Sequence, residues 1–289
     1  MHESPAPSGA MASANADANT VAGFGDEWAA FDQASLAPDE WRAMFDRYFA
    51  IFPWDGLPPD AEGFDLGCGS GRWAAGAVAR VGLLHCIDPA DAALDVARRR
   101  LRGRDNVRFH AASVDAIPLA DASQDFGYSL GVLHHVPDTR AALRDCVAKL
   151  KPGAPFLLYL YYAFDNRPAW YRLLWRGTDA VRRGVSRLPF RLRKGVTDGL
   201  AVAIYWPLAR GCAALERAGL RVDQLPLASY RHLSFYTMRT DALDRFGTRL
   251  EQRFTRAQIG RMMADAGLED IVFSDAVPYW VALGRRREG

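Results

Sequence analysis

The sequence predicts an α/β fold with a doubly wound, mostly parallel seven-stranded sheet, a C-terminal β-hairpin and a helical insert after the fifth strand. Three observations support this. Between residues 61 and 161, short apolar segments alternate with helical ones, which is typical of a parallel sheet covered by helices on both faces. A glycine-rich turn follows the first apolar segment, and glycine permits the sharp bend with which a chain leaves a strand. The roughly ninety residues after 161 hold no clear strand, and two short β-like segments close the sequence.

The elements of the alternating region follow from apolar runs bounded by turn residues. The five parallel strands are predicted at Gly63–Leu66, Leu83–Asp88, Val107–His110, Phe126–Leu130 and Phe156–Leu160. The helices between them are predicted at Arg72–Arg80, Asp91–Leu101 and Thr139–Leu150. Near the C-terminus, a capping box of Thr255 and Gln258 opens a further helix. The segments Asp270–Ser274 and Tyr279–Leu283 are expected to complete the sheet as a hairpin.

Composition divides the chain into five parts. Residues 1–21 are rich in Ala, Ser, Pro and Asn and lack the basic and apolar regions of a signal peptide, so they are predicted to be the disordered tail of a cytoplasmic protein. Residues 22–60 are predicted to form an N-terminal helical cap because aromatic residues recur there at helical spacing. That aromatic face either packs on the core or lies over the ligand. Residues 61–161 are the predicted core, residues 162–254 the insert, and residues 255–289 the closing helix and strands.

Charge and cysteine content exclude several functions. The net charge of +2 gives no general attraction for nucleic acid, and no nucleic-acid partner is expected. The four cysteines lie far apart without a C-x-x-C pair, so neither a zinc site nor a disulfide framework is predicted, and no metal is expected. No apolar run reaches the length of a membrane span.

The glycine turn has the spacing D-x-G-x-G-x-G, from Asp65 to Gly71. A dinucleotide-binding turn has the pattern G-x-G-x-x-G. If Gly67 is the first glycine of that pattern, the last glycine would stand at position 72, where this sequence has Arg72. The turn resembles motif I of the class I S-adenosylmethionine (SAM)-dependent methyltransferases. Further segments at the family's order and spacing strengthen the resemblance. They are Asp88 at the end of the second strand, Ala112–Leu119, Asp125–Asp138 and Leu150–Gly153.

This resemblance implies that the chain binds SAM as its cofactor. The positions that it assigns to the cofactor are Asp65, Gly67, Cys68, Gly69, Gly71, Asp88, Ser113, Val114, Asp115 and Leu130. Asp88 stands where the family places a carboxylate that accepts the ribose hydroxyls, and Asp65 is placed to attract the ammonium group. Ser113 stands at the family's acidic adenine position, which is a departure from the pattern. Either its hydroxyl or the Asp115 carboxylate is expected to meet the adenine, beside the Val114 N–H.

Two adjacent histidines are candidates for catalysis. His134 and His135 leave the fourth strand at its carboxyl end, where the resemblance places the methyl acceptor. Either imidazole could act as a general base because it titrates near neutral pH. The alternative is that the pair only braces its loop.

The insert is expected to shape the acceptor site because it begins beside the expected methyl donor. The residues predicted to bind substrate are Tyr161, Tyr162, Arg167, Tyr230, His232, Tyr236 and Arg239. Aromatic and basic side chains in this region suit a phenol, a carboxylated metabolite or a phosphorylated head group. Three roles stay open for the insert: a lid over the active site, a module that touches a membrane surface, or a solvated Arg-rich helical pair.

The function that these features indicate is SAM-dependent methyl transfer to a small-molecule acceptor, with an oxygen nucleophile favoured. No N-P-P-Y or D-P-P-Y tetrapeptide follows the fourth strand, and such tetrapeptides serve amino groups in the resembled family. The alternatives are an acceptor that is nucleic acid, protein or lipid-linked, and a scaffold that binds SAM without turnover. The sequence leaves the oligomeric state open.

Overall fold

A single seven-stranded sheet organises the chain, in a computed structural model that describes residues 15–31 and 35–288. The strand order is β3-β2-β1-β4-β5-β7-β6. The strands are β1 Glu62–Leu66, β2 Leu83–Asp88, β3 Val107–Ala111, β4 Phe126–Leu130, β5 Pro155–Tyr159, β6 Leu268–Phe273 and β7 Val281–Arg286. The pairs among β1 to β5 are parallel, and β7 runs antiparallel to both β5 and β6. The predicted fold class is therefore confirmed.

Ten α-helices occur in the described part of the chain. They are α1 Ala18–Ala30, α2 Pro38–Tyr48, α3 Ala74–Ala77, α4 Asp91–Arg100, α5 Thr139–Lys149, α6 Ala169–Val185, α7 Phe190–Leu200, α8 Trp206–Arg217, α9 Phe235–Gly247 and α10 Arg256–Asp265. A π-helical segment, Ala201–Tyr205, joins α7 to α8. It lies just before Pro207, which has no N–H to donate to a regular helical turn. No helix among the described residues is long and apolar enough to cross a membrane.

Several predicted boundaries differ from the observed ones. The helix predicted at Arg72–Arg80 is reduced to α3, because the residues before it form the turns of the glycine loop and the chain then bends toward β2. The second hairpin strand begins at Val281, two residues after the predicted start, and its pairing with β5 extends to Arg285. Most of the predicted tail lies outside the described residues, but residues 18–21 are the first turn of α1.

The two N-terminal helices have different environments. In α2, Phe45 is buried against α3, where a Cβ on Gly76 would lie 2.3 Å from its ring. Phe49, the residue after α2, packs edge-to-face on Tyr128 of β4. Phe45 and Phe49 therefore pack on the core, whereas Tyr48 of the same face lies on the ligand side. The preceding helix α1 places Trp28 beside the glycine turn, so it forms part of the ligand-side wall.

The insert is a helical unit organised around α9. Helices α6 and α7 and the π-helical segment pack on α9, whose Met238, Ala242 and Phe246 are buried. Both ends of the insert meet at the carboxyl end of β5. The Phe254 N–H donates to the Tyr161 carbonyl at 2.9 Å, and the Ala163 N–H donates to the Phe254 carbonyl at 2.9 Å. The insert is thus fixed beside the sheet edge where ligands bind in folds of this type.

Candidate functional site

A cavity of about 680 Å³ lies at the carboxyl ends of the parallel strands. Its core side is formed by the loops after β1, β2, β3 and β4. These loops contribute Leu66–Ser70, Asp88–Ala90, Ala112–Val114 and Leu130–Val132. Its insert side is formed by α6, the π-helical segment, α9 and the chain on either side of the insert. The cavity therefore joins the predicted cofactor residues to the insert.

The turn after β1 requires glycine at two positions. Gly67 and Gly69 have φ values of +74° and +52°, which lie in the left-handed region that L side chains rarely adopt. A Cβ on Gly67 would lie 2.4 Å from the Val132 side chain, and one on Gly69 would lie 2.9 Å from the Trp28 indole nitrogen. The turn is thus closely enclosed, with its backbone facing the cavity. Gly71 also has a positive φ, but it faces Ala97 of α4 and is not part of the cavity wall.

Asp88 connects the tip of β2 to the glycine turn. Its Oδ2 accepts a hydrogen bond from the Gly69 N–H at 2.9 Å, and its Oδ1 accepts one from the Ala90 N–H at 2.9 Å. The side chain is buried in the cavity wall, and burial raises its pKa to about 6. Each carboxylate oxygen can accept more than one hydrogen bond, so Asp88 retains capacity for a ligand.

Asp65 is a buried carboxylate with an unused acceptor. Its exposed fraction is 1%, and its Oδ2 has no hydrogen-bond partner among the described residues. Burial raises its pKa to about 8, and the nearby Asp88 carboxylate adds to the increase. Asp65 lies behind the cavity wall, one residue before Leu66. A buried, unsatisfied carboxylate costs free energy unless a donor or a cation reaches it.

Of the three residues predicted to bind the adenine, two line the cavity and the third supports them from behind. Ser113 and Val114 line the cavity, whereas Asp115 does not. The Asp115 carboxylate accepts hydrogen bonds from the Ser113 hydroxyl and from the Asn15 N–H. The structure therefore places Ser113 at the ligand surface and Asp115 behind it as the residue that orients it.

The adjacent histidines have different surroundings. His135 lines the cavity, and its Nδ1 lies 2.7 Å from the Leu250 carbonyl oxygen, which requires an N–H at Nδ1. Its Nε2 is buried and has no partner among the described residues, so in the neutral ring this atom carries an available lone pair. Burial lowers the pKa of His135. His134 lies outside the wall, stacked on Tyr161 with ring centroids 3.9 Å apart, and burial lowers its pKa strongly.

Two tyrosines, one after β5 and one before α9, and two carboxylates of α9 line the insert side. The Tyr161 hydroxyl donates to the Asp244 carboxylate, and Tyr230 interacts with Asp241. Burial raises the pKa of Asp241 to about 6 and also raises that of Asp244. The Arg253 guanidinium lies 5.0 Å from the Tyr161 ring centroid. This part of the wall can hold a polar aromatic ligand through hydrogen bonds and ring contacts.

The remaining predicted residues fall into two groups. Those that line the cavity are Cys68, Leu130, Tyr161, Tyr162, Arg167 and Tyr230. Three predicted substrate residues lie away from it because each makes contacts elsewhere. His232 is exposed and pairs with Glu216 at 2.9 Å, Arg239 forms two 2.9 Å hydrogen bonds with Asp198, and Tyr236 packs on Phe31.

The sequence prediction missed several residues of the wall. They are Glu27, Trp28, Tyr48, Arg72, Asp241, Asp244 and Arg253. Asp241 and Asp244 are three residues apart on α9, so they share a helix face, and that spacing was a usable signal. Trp28 and Tyr48 belong to the aromatic helical cap, for which contact with the ligand side was one of the two options. Nothing local in the sequence distinguishes Arg72 or Arg253 from the other arginines.

Comparison with known proteins agrees with this geometry. Residues 64–158 match the family described as "Methyltransferase domain". The chain is 31% identical over 164 residues to a ubiquinone biosynthesis O-methyltransferase of Methylocella silvestris, a match that covers 50% of this chain and 62% of that protein. It is 28% identical over 140 residues to a malonyl-[acyl-carrier protein] O-methyltransferase of Methylococcus capsulatus, covering 45% of this chain and 50% of that protein. The chain thus spans about half to two-thirds of the length of these two relatives.

Residues 64–158 thus carry a methyltransferase domain, and the chain has the class I Rossmann-like fold of the SAM-dependent methyltransferases. A solved O-methyltransferase family protein from Burkholderia thailandensis shares this fold, with a TM-score of 0.51, 16% identity, and coverage of 92% of this chain and 59% of that one. SAM is the cofactor that this domain implies. Features of this chain fit such a group: the glycine backbone that a Cβ would obstruct, the Asp88 carboxylate in the wall, and the unpartnered Asp65 oxygen beneath it.

The raised pKa of Asp65 predicts that the stability difference between wild type and Asp65→Asn depends on pH. Its pKa of about 8 in the folded chain lies above its ordinary value of 3.8, so the folded state binds more protons than the unfolded state between those two values. The free energy of unfolding should therefore fall as the pH rises through that window. In cofactor-free protein, Asp65→Asn is expected to raise the Tm relative to wild type, with a gain that grows from about pH 5 to about pH 8 and then levels off.

Differential scanning calorimetry across this pH range measures the effect. Asp95→Asn is the matched control, because Asp95 is exposed on α4 and its substitution should leave the Tm nearly unchanged at every pH. A gain for Asp65→Asn that did not vary with pH would contradict the assignment of a raised pKa.

Proposed function

We propose that this chain transfers a methyl group from SAM to an oxygen atom of a small-molecule acceptor. One observation carries the proposal: His135, whose buried Nε2 has no partner among the described residues, lines the same cavity as the glycine turn and Asp88. This arrangement supports a base beside the cofactor site. The two relatives above are O-methyltransferases by name, which supports an oxygen acceptor.

The core side of the cavity would hold the cofactor. Asp88 would accept the ribose hydroxyls, and Ser113 with the Val114 N–H would meet the adenine. Asp65 would balance the ammonium group, directly or through water. When bound there, SAM supplies an electrophilic methyl group on sulfur.

His135 would act as the general base. Because its Nδ1–H donates to the Leu250 carbonyl, the lone pair is on Nε2, and the hydrogen bond fixes the ring orientation. Its lowered pKa keeps the ring neutral at neutral pH, so Nε2 is free to accept the proton of an acceptor hydroxyl. His134 stacks between His135 and Tyr161 and would hold the base in position.

The insert would bind the acceptor and close the site. Tyr161, Asp244, Tyr230 and Asp241 line the cavity with His135, provide hydrogen-bonding groups there, and are only partly exposed. Exclusion of water and alignment of the acceptor are the main requirements of this reaction, since the donor is intrinsically reactive. This arrangement supports a lid role for residues 162–254. The net charge of +2 favours a small-molecule acceptor over nucleic acid.

Loss of the Asp88 carboxylate tests the cofactor assignment. Asp88→Ala is expected to weaken SAM binding by one to two orders of magnitude, because a hydrogen bond to a charged group contributes about 1.5–3 kcal/mol. Isothermal titration calorimetry with SAM and with S-adenosylhomocysteine measures this. Asp95→Ala, which removes an exposed carboxylate of α4, should bind as wild type does. Absence of binding by the wild-type chain itself would refute the cofactor assignment.

Substitution of His135 tests the base. His135→Ala should lower kcat by about 10²–10⁴-fold while leaving SAM affinity within a few-fold of wild type, because the imidazole acts on the acceptor. The measurement is release of S-adenosylhomocysteine with the small-molecule fraction of a cell extract. Wild-type kcat/KM should fall at acid pH with a midpoint below 6.5, the direction in which burial moves the pKa of His135. His232→Ala is the control, because that imidazole is on the surface. Full activity in the His135 variant would show that no base is needed from this residue.

A further inference from the structure

Helix α6 buries Asp179, Arg182 and Val185 and exposes an apolar face. Its apolar residues Trp170, Leu173, Leu174 and Val181 recur at helical spacing on one face, and their exposed fractions are 50%, 68%, 48% and 51%. Its buried side instead carries an ion pair. Arg182 donates to Asp179 at 2.8 Å and to the carbonyls of Thr248 and Arg249 at 2.8 and 3.0 Å. The helix is therefore anchored by charge and presents its apolar face outward.

Exposed apolar residues continue from the π-helical segment into α8 on two sides: Val202 and Trp206 form the outer π–α8 surface, and Ile204 and Leu208 lie on the side that lines the cavity. Val202, Ile204, Trp206 and Leu208 are exposed to 59%, 44%, 49% and 47% of their surface. Exposed apolar residues scattered singly are ordinary on soluble proteins, but a concentration of this kind marks a surface that contacts something apolar. The insert holds most of the large exposed apolar side chains of the described chain.

The two surfaces meet at the mouth of the cavity. Leu174 of α6, Ile204 of the π-helical segment, Leu208 of α8 and Leu225 are all exposed, and all four also line the cavity. We call these four residues the apolar rim. The outer apolar faces of the insert thus continue inward to the site that holds His135.

The charges around these faces are almost all positive. Between residues 169 and 221 the acidic residues are Asp179, Asp198 and Glu216, and each is engaged by a basic side chain of the fold. Exposed arginines flank the apolar faces, at positions that include Arg172, Arg176, Arg191 and Arg217. Apolar side chains bordered by arginine match a bilayer surface that carries anionic lipid, where each cation near the surface contributes about 1 kcal/mol.

We propose that the insert docks on an anionic lipid bilayer through α6 and the π–α8 surface, and that the apolar rim admits the hydrocarbon tail of a membrane-held acceptor. The docking proposal depends only on the exposed apolar and basic residues of the insert and does not require the proposed methyl transfer. The statement about the acceptor rests on the proposed methyl transfer and names its substrate class: an amphiphile with a hydroxyl-bearing head group and an apolar tail. The head group enters toward His135, while the tail stays between Leu174, Ile204, Leu208 and Leu225.

Vesicle flotation tests the docking. The full chain is mixed with vesicles of phosphatidylcholine alone or with about one-third phosphatidylglycerol, at near-physiological salt. It should float with the anionic vesicles and largely remain behind with the neutral ones. Trp170→Ser/Leu173→Ser should weaken binding at least tenfold, because each side chain contributes on the order of 1.5–3 kcal/mol when buried. Neither residue lines the cavity, so SAM binding should be unchanged.

Two control variants distinguish docking through the insert from nonspecific hydrophobic adsorption to vesicles. Val272→Ser removes a 49% exposed apolar side chain of the edge strand β6, which is outside the insert, and should float as wild type does. Arg172→Gln/Arg176→Gln should weaken binding to the anionic vesicles by about one order of magnitude or more while leaving the Tm nearly unchanged. Equal flotation of wild type and the Trp170/Leu173 variant would overturn the docking. A concentration-dependent dimer that the same variant disrupts would also overturn it, since the face would then contact a second protein chain.

The acceptor class is tested by the fate of methyl label. Methyl-labelled SAM is incubated with the chain, a total lipid extract in anionic vesicles and the water-soluble metabolites of a cell extract. Unreacted SAM is then removed, and label in the products is measured in the organic and aqueous phases. Label in the organic phase that falls with the Trp170/Leu173 variant supports the tailed acceptor. Label confined to aqueous metabolites overturns the tailed acceptor and leaves the proposed function intact. Intact SAM binding with no label in either phase, or with an aqueous extract, would refute the methyl transfer, while the flotation result would still decide the docking.

Discussion

The backbone bridge between Tyr162 and Phe254 is the constraint on which the functional side of the molecule depends. It brings the two ends of a ninety-residue insert together at the carboxyl end of β5. On the amino-terminal side it positions Tyr161 over His134, and on the carboxyl-terminal side it places Arg253 against the Tyr161 ring. The insert is therefore joined to the core beside the histidines and can close over a cavity that the sheet alone would leave open.

Within that cavity, burial of acidic groups is the main electrostatic feature. Asp65, Asp88, Asp241 and Asp244 all have raised pKa values because burial disfavours their charged forms. The four carboxylates lie in two pairs, one beneath the glycine turn and one on α9. Asp88, Asp241 and Asp244 line the cavity and Asp65 lies behind its wall. Carboxylates with perturbed pKa values around a shared cavity are typical of binding sites. The location of the pairs agrees with a cationic cofactor on one side and a hydroxyl-bearing acceptor on the other.

The sequence predicted the core far better than the insert. The bounds of β2 and β4 agree with the prediction, because apolar runs that end at a turn residue are a local signal. Ser113, Val114 and Asp88 line the cavity as expected because they follow strands directly, and parallel strands end at a common edge. The contacts of His232 and Arg239 could not be predicted. Their acidic partners are Glu216 of α8 and Asp198 of α7, and the positions of these helices are determined by tertiary packing.

The aromatic cap illustrates the same limit. Helical periodicity correctly indicated a shared face on α2, but it could not determine what that face would contact. The structure packs Phe45 and Phe49 on the core and gives the ligand-side position to Trp28 of α1. These positions are possible because Gly69 has no side chain where Trp28 approaches and Gly76 has none where Phe45 approaches. Complementarity of this kind between distant segments is absent from any local pattern.

The central claim is that one cavity holds the cofactor on its core side and the acceptor beside His135. A crystal structure of the chain with S-adenosylhomocysteine tests this most directly. The account predicts that the ribose hydroxyls contact Asp88, that the adenine lies against Ser113 and Val114, and that the sulfur points toward the His135 side of the cavity. A nucleoside bound elsewhere, or a sulfur directed away from His135, would contradict it.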